Sequence, residues 1–319
     1  MTTTSVEHPY HRLFRTLPTY RWWRPLVAAA LGAVLYVVFA NAVVLAIFAV
    51  VRAVGGEELS TTVARGVRDD PLDASQPLVM LMTLGSIATL LPAVLLATKL
   101  AGLGRFGQLS SVTGRLRWRW MLRTLPAALV LMALTVGLSY LVLPPLTGQA
   151  IGTGPVTTPP STLVWSVLVI LLLVPLQASA EEYVYRGFAA QALGSWIAWP
   201  AVAIVVPTAA FAASHAYNPW GLLDVAVFGV VAAWLTWRTG GLEAAIVGHV
   251  LNNTVLFLLL APFAGTETSD GSPLGLAVTV VCTPVWAWLV TRAFHRSGER
   301  RSSPARPAAG PVHEEAQVG

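Results

Sequence analysis

Ala180-Glu181-Glu182-Tyr183-Val184-Tyr185-Arg186-Gly187 follows closely on an apolar run from Leu163 to Leu176, and this junction decides how the chain is read. Two adjacent carboxylates and a guanidinium stand where the sequence otherwise places lipid-compatible side chains. A charge at bilayer depth costs roughly 2.5–3.5 kcal/mol on insertion scales, so these groups need a partner, a wet cavity or a function. Spacing separates their roles. Glu182 and Arg186 are i and i+4, share one face of a helix and can neutralise each other. Glu181 is turned by about 100° from Glu182; it lacks that local partner and is suited to taking a proton from water. The competing explanation is that both acids cap a helix end at the membrane interface.

The surrounding composition favours the membrane. The 319 residues are 55% hydrophobic and 11% charged, where a soluble domain averages about 25% charged residues. The expected fold class is therefore all-α, a polytopic integral membrane protein. The formal charge of +5 comes from basic residues that flank hydrophobic runs. That is the pattern of topology signals, and no nucleic-acid partner is expected. The single cysteine, Cys282, lies in an apolar segment. It excludes a disulfide framework and a cysteine metal site, and reads as a small buried hydrophobe.

Apolar runs of about 20 residues mark membrane spans. There are eight, at 26–50, 77–98, 124–143, 162–180, 197–215, 221–237, 242–262 and 273–291. The loop 99–123 carries Lys99, Arg105, Arg115, Arg117, Arg119 and Arg123 with no acid, while 51–76 mixes both signs. The positive-inside rule then places 99–123 in the cytoplasm, and an even number of spans places both termini there. Domain organisation follows: a cytoplasmic N-terminal tail at 1–25, a transmembrane domain at 26–294 with a core at 162–262, and a disordered cytoplasmic tail at 295–319. The segment 144–161, uncharged and rich in Gly, Pro and Thr, reads as an external loop. Trp22, Trp23, Trp118 and Trp120 are placed as interfacial anchors beside the arginines. No internal repeat is evident, which disfavours a secondary transporter built from two related halves.

Of the six histidines, His8, His11, His295 and His313 fall in the tails; His215 and His249 lie within or at the edge of spans. Either one alone is as readily a helix-packing hydrogen-bond donor. Two of them, on different spans of a chain that also carries the carboxylate pair, point to a shared site. His215 closes the motif Phe211-Ala212-Ala213-Ser214-His215, and its imidazole could orient water or ligate a metal. His249 and Asn253 are one turn apart in His249-Val250-Leu251-Asn252-Asn253, so both can reach one substrate carbonyl. An amide NH₂ and an imidazole NH are donors suited to an oxyanion hole.

Together these motifs resemble the CPBP family of intramembrane proteases, which contains the type II CAAX prenyl endopeptidases and bacteriocin-immunity-type relatives. That family carries Glu-Glu-x-x-x-Arg, Phe-x-x-x-His and His-x-x-x-Asn or Asp in this order, matched here over roughly 162–262. The resemblance implies a glutamate-dependent endopeptidase acting on a membrane-associated peptide or protein within the lipid bilayer. It assigns water activation to Glu181 and His215, stabilisation of the tetrahedral intermediate to His249 and Asn253, and support of the site to Glu182 and Arg186. The family is usually classed with metalloproteases, which makes Glu181, His215 and His249 candidate ligands for zinc or another divalent metal. No His-Glu-x-x-His is present, so a permanently bound zinc does not follow from the residues; no organic cofactor is expected. A non-catalytic membrane interaction or immunity protein and a proton-coupled transporter are the alternatives. The Ala- and Arg-rich, lysine-poor composition suggests a bacterial plasma membrane. One tension is geometric. If spans four and five are straight, nearly 30 Å separate Glu181 from His215. They meet only if the fourth helix continues through Arg186 and the fifth starts later, with both residues at mid-depth around a wet cavity.

Overall fold

Proline opens six of the helices: Pro25, Pro77, Pro160, Pro200, Pro219 and Pro273 all stand in a first turn. There the missing N–H would have had no partner, and the fixed φ is already helical. The computed structural model describes residues 7–147, 155–263 and 271–303. Its helices are α1 (Arg24–Asp69), α2 (Pro77–Ala88), α3 (Leu90–Leu100), α4 (Trp118–Val136), α5 (Leu143–Thr147), α6 (Pro160–Glu182), α7 (Ala190–Trp196), α8 (Pro200–Ala213), α9 (Pro219–Thr239), α10 (Glu243–Leu260) and α11 (Pro273–His295). Widened π-helical stretches at Gly137–Val142 and Tyr183–Ala189 join α4 to α5 and α6 to α7. The chain is an all-α polytopic membrane protein, its only described strands being the two-residue pair β1 (His8–Pro9) and β2 (Ser302–Ser303).

Seven helical segments among the described residues are long and apolar enough to cross a bilayer. The expected span at 197–215 is the exception. Helix α8 has 14 residues, which rise about 21 Å against a hydrocarbon core of about 30 Å. It starts late, at Pro200, and ends just before His215. The fourth span departs in the other direction, running from Pro160 to Trp196 across the π-helical stretch. The expected loop 51–76 is also largely helical. α1 breaks at Gly56, where φ is 69°, a value that glycine adopts without steric penalty. Beyond the break, Leu59, Val63 and Val67 repeat at i, i+4 and pack with Val51, Val79 and Met82.

The expected N-terminal tail is folded. A 3-10 helix at Tyr10–Thr16 inserts Tyr10, Leu13 and Phe14 among Leu103, Leu109, Tyr183 and Ile246. Arg15 Nε donates to Ser195 O (2.6 Å), His11 Nε2 to Ala198 O (3.0 Å) and Trp196 Nε1 to Trp22 O (2.8 Å). The approach is close because residue 194 is glycine: a Cβ there would sit 1.9 Å from the His11 carbonyl oxygen. The disorder expected for 295–319 does not hold for its first part, since α11 runs to His295 and β2 pairs with β1; 304–319 lie outside the described residues, as do 148–154 of the expected external loop. Trp22, Trp23 and Trp118 are exposed as anchors should be, whereas Trp120 is fully buried in the core and is no anchor. Arg117 likewise leaves the basic cluster. It forms a buried two-pronged pair with Glu243 (2.7 and 2.9 Å) and also donates to the carbonyls of Thr239 and Arg300. The loop before α4, the turn before α10 and the C-terminal segment are thereby tied together at the end of the bundle that also holds the N-terminal segment.

Around the site the core is built on close helix approach. In lipid, packing and small residues rather than hydrophobic exclusion hold helices together. Trp286 of α11 is fully buried and stacks on Phe228 of α9, with centroids 5.6 Å apart and planes within 4°. Gly248 of α10 leaves room for that indole, since a Cβ there would lie 2.3 Å from Trp286 Cζ2. His249 is thereby seated next to a rigid aromatic wall.

Candidate active site

α6 carries Gln177 and Glu181 one turn apart, then Glu182, and at that point the helix widens into its π-helical stretch. Such insertions recur at functional sites because they re-aim side chains without ending the helix. Glu182 is completely buried. Its Oε1 accepts from Arg186 Nη1 at 2.9 Å, the expected i, i+4 pair, and also from His249 Nδ1 at 2.8 Å. The guanidinium carbon of Arg186 lies 4.1 Å from the centroid of Phe211. Gly229 of α9 makes room for it: a Cβ at 229 would stand 2.9 Å from Arg186 Nη2. The pair is thus enclosed by α6, α8, α9 and α10, and Glu182 serves both the arginine and the histidine.

With Nδ1–H of His249 donating to Glu182, Nε2 is the nitrogen left to act. It lies 3.1 Å from Asn253 Nδ2 and 3.6 Å from Glu181 Oε2. Neutral, it accepts from the amide; carrying a hydrogen, it faces the carboxylate. Asn253 Nδ2 is also 3.4 Å from Gln177 Oε1, and Asn253 Oδ1 accepts from Asn252 Nδ2 at 3.2 Å. Glu181 is buried, and its Oε2 has no hydrogen-bond partner. An unpaired buried carboxylate oxygen is costly unless something occupies it, and a water or a substrate group is the natural occupant.

His215 sits just past the end of α8. Its Nδ1–H donates to the Phe211 carbonyl one turn back at 2.8 Å, which leaves Nε2 as an open acceptor. Phe211 is the wedge between the two histidines, with its ring 4.7 Å from His215 and 5.9 Å from His249. His215, His249 and Asn253 all line one cavity of about 330 Å³ between α4, α9, α10 and α11. The structure therefore joins Glu181, Glu182, Arg186, His249 and Asn253 in a contact network and brings His215 to the same cavity as the latter two. Among the described residues no hydrogen bond or ion pair links His215 to Glu181. The split expected between the two acids is only half right: Glu182 is shared by Arg186 and His249, and Glu181 meets the far side of the same imidazole.

Among the described residues no three His, Cys, Asp or Glu side chains are gathered as ligands, so Glu181, His215 and His249 are not drawn together as the candidate triad. Each imidazole engages Nδ1, with Glu182 or the Phe211 carbonyl, and leaves Nε2 for chemistry. Several site residues escaped the sequence reading. Gln177 was legible as a polar residue one turn before Glu181 on the same face. Asp224 is an acid inside the apolar run of α9 and should have drawn the same question as Glu181. Tyr217 and Phe228 line the cavity with no local signal in the sequence.

Residues 160–255 match the family described as Rce1-like, type II CAAX prenyl endopeptidase. That stretch contains Glu181, Glu182, Arg186, His215, His249 and Asn253. The uncharacterized protein YyaK of Bacillus subtilis (strain 168) is 30% identical over 142 residues, covering 42% of this chain and 46% of YyaK. The match thus spans less than half the length of that relative. No solved structure matches the chain.

Proposed function

We propose that this chain, whose residues 160–255 match the Rce1-like family of type II CAAX prenyl endopeptidases, is a membrane-embedded endopeptidase in which Glu181 activates water against a peptide bond. The substrate is a membrane-associated protein or peptide. The supporting observation is the imidazole of His249, held by Glu182 through Nδ1 while Nε2 faces buried Glu181 on one side and Asn253, at the cavity wall, on the other. Water lies against the unpaired Glu181 oxygen, with His215 Nε2 as a second acceptor that orients it. Glu181 takes one proton as the water oxygen bonds to the carbonyl carbon. The oxyanion that forms is met by Asn253 Nδ2–H and by His249 when Nε2 carries a hydrogen. On collapse the C–N bond breaks and Glu181 returns its proton to the leaving amine, giving a carboxylic acid, which then ionises to solvent, and a free amine. Glu182 and Arg186 touch no reacting atom; they fix the ring plane and tautomer of His249. No step passes through a metal.

The site opens within the membrane of a bacterial plasma membrane, with both termini in the cytoplasm. This orientation is supported by the basic loop 99–123, the turn at Arg238 and the basic residues after α11, and by the pairing of β1 with β2, which holds both ends of the described chain on one side whatever α8 contributes as a span. The test compares membrane proteomes of cells carrying wild-type chain and Glu181→Gln. At least one membrane-associated fragment present with wild type should fall by about 100-fold or more, the scale of a lost general base. An unchanged fragment profile with folded Glu181→Gln protein refutes the proposal.

A further inference from the structure

The cavity that His215, His249 and Asn253 open onto contains a charge that the reaction above leaves idle. Asp224 lies on α9 one turn after Gly221 and one turn before Phe228, on the face that lines the cavity. Among the described lining residues it is the one acid, and none is lysine or arginine. Its Oδ1 is buried without a hydrogen-bond partner. The hydroxyl of Thr279 approaches the carboxylate, and Tyr217 lies within electrostatic range of both Asp224 and Glu181. The remaining walls mix hydroxyls and amides with apolar side chains such as Leu131, Met132, Val225, Leu256 and Leu276. The volume, about 330 Å³, falls within the range of about 300–1,000 Å³ typical of ligand pockets.

A carboxylate set in a cleft with partly apolar walls focuses its field on whatever enters. The group that satisfies it is a cation with N–H donors. Resting on the endopeptidase reading, we propose that Asp224 is a specificity-determining residue that binds an ammonium or guanidinium of the substrate. The enzyme then selects peptides that present a Lys or Arg side chain, or a free amino terminus, near the scissile bond. The apolar walls take the neighbouring side chains. Asp224 acts on substrate choice, while Glu181 acts on water.

The test uses the full chain in lipid nanodiscs and quenched fluorescent peptides of one apolar sequence. One set is N-acetylated and carries Lys or norleucine at each position in turn; another has norleucine throughout and a free amino terminus. Cleavage is followed as kcat/KM, and binding is measured separately by anisotropy in a Glu181→Gln background. A cationic peptide should be favoured by about tenfold to a hundredfold, the range that a charge-assisted hydrogen bond supports. The two sets distinguish a basic side chain from an amino terminus as its source. Asp224→Asn should bring the ratio to within about twofold of unity, and Asp224→Glu should keep a preference of the same sign. A wild-type ratio near one overturns the proposal by itself, even if Asp224→Asn fails to fold; so does a preference that survives in folded Asp224→Asn. Peptides that bind with an Asp224-dependent preference but are not cut support the cation site and refute the endopeptidase. Peptides that are cut by a Glu181-dependent activity without preference do the reverse, and neither binding nor cleavage overturns both.

Discussion

Replacing Glu182 by Gln removes the negative charge on which Arg186 and His249 both depend. Oε1 accepts from Nη1 at 2.9 Å and from Nδ1 at 2.8 Å, and both members of the Glu182–Arg186 pair have fully buried side chains. Nε and Nη2 of Arg186 already lack hydrogen-bond partners, so no other carboxylate compensates the guanidinium once this one is gone, and only the Phe211 ring remains against it. Breaking a buried pair from one side typically costs about 3–5 kcal/mol, which raises the unfolded fraction by more than about a hundredfold. The measurement is unfolding of the purified protein in mixed detergent micelles, read by tryptophan fluorescence against SDS fraction. Glu181→Gln is the internal control: it removes a carboxylate whose Oε2 has no partner and should stay within about 1 kcal/mol of wild type. The double variant Glu182→Gln/Arg186→Met removes the stranded charge as well and should recover much of the loss, since apolar replacement of buried pairs is often neutral. It should still be at least about a hundredfold less active, because His249 has lost its anchor. Glu182→Gln unfolding within about 1 kcal/mol of wild type would refute this account of the pair.

Three further outcomes follow. Gly194→Ala forces a methyl group onto the His11 carbonyl; overpacking of this kind costs about 1–3 kcal/mol, so trypsin should cut at Arg12 and Arg15 some five- to a hundredfold faster in folded protein. The same segment should respond to pH. Burial holds the His11 imidazole below its ordinary range, with the Ala198 carbonyl partly offsetting this. The docked state therefore binds its proton less readily than the released one. Docking is fully retained above the free-histidine value of about 6.5 and is lost as pH falls through the lowered one; trypsin sensitivity that rises on acidification in wild type but not in His11→Gln would show it. Finally, chelators should leave peptide cleavage within about twofold, because no ligand triad is gathered among the described residues; a loss restored by zinc would contradict the metal-free mechanism.

What the linear sequence determined is whatever depends on composition and helical period. Charge scarcity and long apolar runs dictate an all-α membrane protein. The i, i+4 rule pairs Glu182 with Arg186 and sets His249 and Asn253 on one face, and both hold in the structure because they are properties of a single helix. Tertiary structure decided everything that joins helices. Glu182 and His249 are 67 residues apart, and no local pattern says that one carboxylate will serve both an arginine and a histidine. The need for Glu181 and His215 to meet, rather than apolar periodicity, is what anticipated a fourth helix running past Arg186 and a fifth starting late; the 14-residue length of α8 and the widening after Glu182 had no sequence signal. Those departures are what resolve the separation of Glu181 from His215 implied by straight spans. Trp120 and Arg117 were misplaced for the same reason: an interfacial anchor and a buried packing residue carry the same letter, and only the neighbours, Phe294 for one and Glu243 for the other, decide between them. At the junction after Leu176 the sequence could say that two acids needed partners. Which partner each received depended on how closely glycines 229 and 248 let the surrounding helices approach.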